Sequence, residues 1–196
     1  MFRLFRPSDE QVRSIIRRNR NQSFSYPDVG ATRTGNVPAA YNFDRHRTEL
    51  GKGRPTWLAA KAAVRRWEMF DRAWIRIFPE TLAIRKGSVV AVVPAHFGFF
   101  SVNLCRIVYV IDTEKPLPLF GFAYGTLRQH AESGEERFTV SWNPDDDSVR
   151  YEIAAMSKPR AIPARIGYPI ARAVQRKFGR TSLESMRRAV TGVLSG

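Results

Sequence analysis

Residues 105–142, CRIVYVIDTEKPLPLFGFAYGTLRQHAESGEERFTVSW, decide the fold. Apolar and polar positions alternate with period two, and turn formers at Thr113 to Pro118 and Glu132 to Gly134 interrupt the runs. That pattern predicts strands at 102–112, 119–129 and 136–143. Working outward, the same alternation predicts further strands at 81–85, 88–94 and 148–156, and a first strand at 41–53 ending at Gly51 and Gly53. Consecutive short strands joined by tight turns pair antiparallel.

Helical patterning brackets the strands. Ser8 and Gln11 make a capping-box pair, with Asp9 and Glu10 in the first turn, which predicts a helix over 8–20. Residues 21–40 are rich in turn formers and read as an ordered loop. Pro55 opens a helical segment to Phe78, where Ala60, Ala63, Trp67, Phe70, Trp74 and Ile77 recur every three or four residues. After 156, Ile170, Val174 and Phe178 begin a long C-terminal helix, with Thr181 and Glu184 forming a second capping box or a kink before Met186, Val190 and Leu194. The economical packing is α+β: one curved antiparallel sheet of six to seven strands with the C-terminal helix laid across it. A cavity of about 300 Å³ or more is then expected between helix and sheet. The domain spans 23–196, preceded by a helical extension over 1–22.

Composition narrows the class. The chain has 196 residues, 43% hydrophobic and 12% aromatic, which excludes wholesale disorder. Cys105 is the single cysteine, so no internal disulfide and no cysteine metal site can form. His46, His96 and His130 lack metal-ligand spacing, and no phosphate loop or nucleophile elbow is present, so no metal or cofactor is expected. Residues 87–111 are apolar enough to test as a membrane span, but Pro94, Gly98 and Arg106 interrupt them. A soluble, cytoplasmic protein is expected. The net charge of +14 raises nucleic-acid or acidic-membrane binding. Its arginines cluster at 13, 17, 18 and 20; at 65, 66, 72 and 76; and at 172, 176, 180, 187 and 188, all on predicted helices where a solvated polar face is the commoner explanation. Nothing in the sequence fixes the oligomeric state.

Six residues are candidates for a ligand site. Arg106 falls within an apolar strand and needs a partner, expected among the carboxylates at 132–136. Phe122, Tyr124 and Thr126 share one strand face opposite the small residues Gly121, Ala123 and Gly125, which allow another group to come close. His130 stands among Glu132, Glu135 and Glu136; His130 with a glutamate such as Glu135 could serve as an acid–base pair, or the group could be a charged hairpin turning at Ser133-Gly134. Three functions therefore stand side by side: binding of a small, largely apolar ligand, an enzyme of the same fold using His130, and nucleic-acid or acidic-membrane binding.

Several segments together resemble an uncharacterised bacterial and plant family called domain of unknown function nineteen-ninety. They are Tyr26-Pro27-Asp28-Val29-Gly30-Ala31-Thr32, Leu50-Gly51-Lys52-Gly53, Cys105 to Val110, and Gly121-Phe122-Ala123-Tyr124-Gly125-Thr126-Leu127 followed by His130, Glu132, Gly134-Glu135-Glu136 and Phe138. The family's Pro-Gly-His-Pro turn is Arg128-Gln129-His130-Ala131 here, and its Phe-Ser-Arg-Pro is Met156-Ser157-Lys158-Pro159. In element order the family is similar to the START-like, birch-pollen-allergen-like superfamily. This implies a helix-grip fold with a cavity beneath the C-terminal helix; it assigns no activity and no catalytic residue.

Overall fold

The computed structural model describes residues 2–194 apart from 97, 129, 131 and 160–166, and omits the side chains of 2, 96, 159 and 167–171. In chain order the elements are β1 Phe2–Arg3, α1 Asp9–Asn19, α2 Ala31–Thr34, β2 Asn42–Lys52, α3 Gly53–Arg65, β3 Ile75–Phe78, β4 Val89–His96, β5 Phe99–Ser101, β6 Asn103–Thr113, β7 Leu119–Thr126, β8 Glu132–Trp142, β9 Ser148–Pro159 and α4 Gly167–Leu194. The strands form one antiparallel sheet in the order β1-β5-β4-β6-β7-β8-β9-β2, with β3 added against β4. This is the helix-grip architecture: a curved sheet with α4 across one face. Among the described residues, no helix is long and apolar enough to cross a membrane.

Strand parity sorts the core into two layers. Val90, Val92, Cys105, Ile107, Phe122, Phe138, Val140 and Tyr151 face α3 and α4, where Ala60, Ala63, Met186 and Val190 meet them. Each large apolar side chain buried there contributes roughly 1.5–3 kcal/mol. Ala91, Val93, Leu104 and Leu127 face the other way, against Val12 and Ile15 of α1. The predicted N-terminal extension is thus packed on the back of the sheet. Its capping box forms: Gln11 donates its amide to Ser8 Oγ at 3.3 Å, and Ser8 donates its amide to Gln11 Oε1 at 3.1 Å.

Several expectations need correction. The helix expected over 55–78 stops at Arg65. Trp67 adopts a left-handed backbone, φ 60°, which ends the helix, and its indole donates to the Leu82 carbonyl at 2.9 Å. Ile75 and Ile77 then alternate with Arg76 as β3, because their two-residue spacing meets β4 better than a third helical turn could. No strand occupies 81–85. Ser133 and Gly134 are not a turn but lie in β8 opposite Lys158 and Ser157. Thr181 does not cap a new helix, since α4 runs through it; its hydroxyl bonds back to the Phe178 carbonyl at 3.4 Å.

Gly179 shows how closely α4 grips the sheet. A Cβ there would stand 2.6 Å from His46 Cδ2 on β2, so glycine lets the His46 ring lie directly against the helix.

Candidate functional site

Strands β7 and β8 carry the chemistry, and their pleat divides it between two faces. Tyr124 pairs with Glu136 and Phe122 with Phe138, on the face under α4; Gly125 pairs with Glu135 and Ala123 with Arg137, on the back. Adjacent glutamates therefore serve different compartments.

Beneath α4, Tyr124 donates its hydroxyl to Glu136 Oε2 at 2.6 Å. Burial pushes the Glu136 carboxyl up to about 7, with the negative charge of Glu132 adding to the effect and the Tyr124 hydrogen bond opposing it. Burial likewise raises Glu132, whose Oε1 accepts from Gln175 Nε2 of α4 at 2.9 Å. The same amide donates to Ser157 Oγ at 3.0 Å. Beside them Arg172 of α4 grips Asp44 of β2 with both guanidinium nitrogens, Nη2 reaching Oδ1 at 2.8 Å, which holds Asp44 below its ordinary value. The side chains of Phe70, Tyr124, Phe138 and Phe178 form the apolar floor, ring centroids 5.3–6.4 Å apart. Such a wall presents a protonatable carboxyl and a hydroxyl against aromatic surface. It can donate or accept a hydrogen bond near neutral pH, and it can move a proton. Among the described residues, these rings line the space between sheet and α4 where a cavity of about 300 Å³ was expected. A pocket of about 110 Å³ opens at Arg6, Trp67, Phe70, Arg72 and Arg76.

On the back of the sheet Glu135 is 2% exposed and fully engaged. Tyr26 Oη and the Gly30 amide each donate to its Oε2 at 2.7 Å, the Thr32 amide donates to Oε1 at 3.2 Å, and the Thr32 hydroxyl donates to Oε1 as well. Tyr109 Oη contacts Thr32 Oγ1 at 2.7 Å, and Arg137 donates to the Thr32 carbonyl at 2.7 Å. Burial and the neighbouring Glu135 charge drive Tyr26 well above its ordinary value, and burial pushes Tyr109 up to about 12. Both phenols stay protonated and serve as hydrogen-bond groups. Residues 26–32 are thus clipped to the sheet by one buried carboxylate. Gly125 makes room: a Cβ there would stand 2.1 Å from Tyr26 Oη.

The six candidates accordingly separate. Phe122 and Tyr124 lie on the wall under α4. Arg106 does not meet a carboxylate from 132–136; Nη2 donates to the carbonyls of Arg20 at 2.5 Å and Gln22 at 2.7 Å, over the Phe24 ring, because β6 turns that side chain to the back. Thr126 contacts Ser25 Oγ at 2.6 Å and donates to the Gly134 carbonyl at 3.1 Å, stitching the same N-terminal segment to the strand ends. Glu135 is the clip just described. His130 accepts the Glu132 amide on Nδ1 at 3.0 Å, so that nitrogen meets backbone rather than a carboxylate, and burial lowers its pKa to about 4. Tyr109 pairs with Ala123 on the back, although two residues from Ile107 on the front, because a bulge at Val108 flips the rest of β6.

The residue that sequence reasoning passed over is Glu136. Its signal was available: Glu136, Phe138 and Val140 are two apart, so a carboxylate shares the parity of two core residues. The arginine clusters of α1 and α4 also separate. Helix α1 lies on the back of the sheet and α4 on the front, so these clusters do not merge into one face.

A family pattern with the description Domain of unknown function (DUF1990) matches residues 25–185. A UPF0548 protein of Dictyostelium discoideum is 32% identical over 207 residues, covering 97% of this chain and 96% of its own. A UPF0548 protein of Deinococcus radiodurans is 31% identical over 199 residues, covering 96% and 98%. The crystal structure of Ara h 8.0201 matches 80% of this chain and 99% of its own with a TM-score of 0.51 at 13% identity. A hypothetical protein from Helicobacter pylori matches 84% and 94% with a TM-score of 0.54 at 10% identity. At those identities the structural likeness is one of fold.

Proposed function

The chain belongs to the DUF1990 family, and from that premise we propose that it binds a small, largely apolar ligand between the sheet and α4, anchored at Glu136 and Tyr124. One observation carries the reading: a carboxyl held near neutrality stands on an otherwise aromatic wall, bonded among the described residues to a single tyrosine. A purely structural carboxylate gathers several donors, as Glu135 does on the other face. Glu136 keeps acceptor capacity to spare.

Phe178 is the one ring of the four that is only partly buried, so it is the side chain that gives way when a ligand enters. The test is native mass spectrometry of protein purified from its own host, together with titration by the neutral fluorescent probe N-phenylnaphthylamine. Glu136→Gln with Tyr124→Phe should lose the co-purified molecule, whereas Phe178→Ala should bind the probe more tightly. Absence of any bound molecule together with no probe binding by wild type or Phe178→Ala rules the proposal out.

Acid–base chemistry on the bound ligand is a second reading. The observation favouring it is again Glu136, whose carboxyl is poised at about 7, while His130 at about 4 is too weak a base for neutral pH. A ligand returned with altered mass by wild type but unchanged by Glu136→Gln would support it; turnover retained in Glu136→Gln would exclude it.

A further inference from the structure

Leu4 and Phe5 are 77% and 83% exposed, far more than an apolar pair gains from in water, and they stand between Arg3 and Arg6. Arg6 shares a pocket with Arg76. The Arg76 guanidinium lies 5.2 Å from the Phe78 ring centre, and Arg13 of α1 lies 5.1 Å from the same ring. From Arg13 the exposed face of α1 continues through Arg17 and Arg20, spaced four and three residues apart and therefore aligned along the helix. Leu4, Phe5, Arg6, Arg13, Arg17 and Arg20 thus form one continuous surface. Asp9, bound by Arg76 at 2.5 Å, and Glu10 are the acidic groups of the α1 first turn. Arg6, Arg17 and Arg20 have no ion pair among the described residues, whereas Arg45, Arg47 and Arg137 share Glu152 on the sheet.

We propose that this surface docks on an anionic lipid bilayer, with Leu4 and Phe5 inserted among the acyl chains and the α1 arginines against the headgroups. Apolar insertion beside basic side chains is the combination an anionic membrane rewards. A polyphosphate would use the arginines but gains nothing from two exposed aliphatic and phenyl groups, and no stacking platform accompanies them. The back of α1 is fixed in the core by Val12 and Ile15, so the basic face is presented rigidly.

Co-sedimentation of the whole chain with phosphatidylcholine vesicles, made with and without phosphatidylserine, tests the proposal. Binding should require phosphatidylserine and weaken steeply between about 0.1 M and 1 M salt, as the screening length shrinks from about 10 to 3 Å. Leu4→Ser/Phe5→Ser should cut it about tenfold, and Arg17→Gln/Arg20→Gln about 25-fold, since each arginine near such a surface is worth about fivefold. Melting temperatures of both variants should match wild type; if the first variant fails to fold, the arginine variant decides alone. Equal binding by variants and wild type, no binding to phosphatidylserine vesicles, or preference for an RNA duplex over them overturns the assignment.

Discussion

Gly125→Ala separates close approach from ordinary strand preference. The Gly125 backbone is outside the left-handed region, so alanine would normally gain about 0.4–1 kcal/mol by restricting the unfolded chain. Here the added Cβ would lie 2.1 Å from Tyr26 Oη and 2.9 Å from Cε1 and Cζ. Tyr26 must withdraw, yet its hydroxyl is held by Glu135 at 2.7 Å. Breaking a hydrogen bond to a charged group costs about 1.5–3 kcal/mol. The net expectation is a destabilisation of about 0.5–2.5 kcal/mol, or roughly 1–10 °C in Tm at 2–4 °C per kcal/mol. Urea unfolding followed by circular dichroism measures it. Tyr26→Phe removes the nearest clashing atom, so in that background Gly125→Ala should cost at least about 1 kcal/mol less, a coupling that contacting residues show. A stabilising Gly125→Ala, or the same cost with phenylalanine at 26, would refute the reasoning.

Other outcomes follow from the same geometry. Gly179→Ala should destabilise by about 1–2 kcal/mol through overpacking against His46, although alanine inside a helix usually gains about 0.5–1 kcal/mol, and His46→Ala should relieve the loss; a net gain in melting temperature would show that α4 stands further from β2. His130, lowered to about 4 against 6.5 unfolded, should remain neutral from pH 5.5 to 8 by NMR, and its contribution to stability should fall as pH drops from 6.5 toward 4; a titration midpoint near 6.5 contradicts the burial argument. Glu136, raised to about 7 against 4.5 unfolded, binds more protons when folded, so its contribution is complete below pH 4.5 and is lost as pH rises through 7. Glu136→Gln should therefore flatten the fall in stability between pH 5 and 8, by up to about 3 kcal/mol; an unchanged slope means that Glu136 is solvated.

How much was legible depended on whether a feature is local. Strands β6 to β9 and the α1 capping box could be read because alternation and capping involve neighbours in the chain. The helix expected to 78 went wrong where two periodicities coincide: Phe70, Trp74 and Ile77 fit a helical stripe, whereas Ile75 and Ile77 also fit a strand, and the left-handed turn at Trp67 has no local marker such as glycine. The Val108 bulge was invisible for the same reason, because it is defined by the pairing with β7 rather than by its own side chain.

The clip shows why motif and site parted. Residues 26–32 and 134–136 both lie within the stretch that matches the family, and they meet across more than 100 positions at Glu135. A carboxylate in a crowded acidic turn suggests a ligand contact in one dimension; four donors converging on it in three dimensions make it a structural anchor. Its neighbour, one residue along and on the other face, has one donor among the described residues and a carboxyl near neutrality. Strand parity is the discriminating quantity. Glu135→Gln should therefore lower stability without a selective effect on ligand, because it leaves the Gly30 and Thr32 donors short of a charged acceptor, while Glu136→Gln should spare the fold and weaken binding. Thermal melts and probe titrations on the two variants distinguish these outcomes, and the reverse assignment of defects would return the ligand site to the back of the sheet.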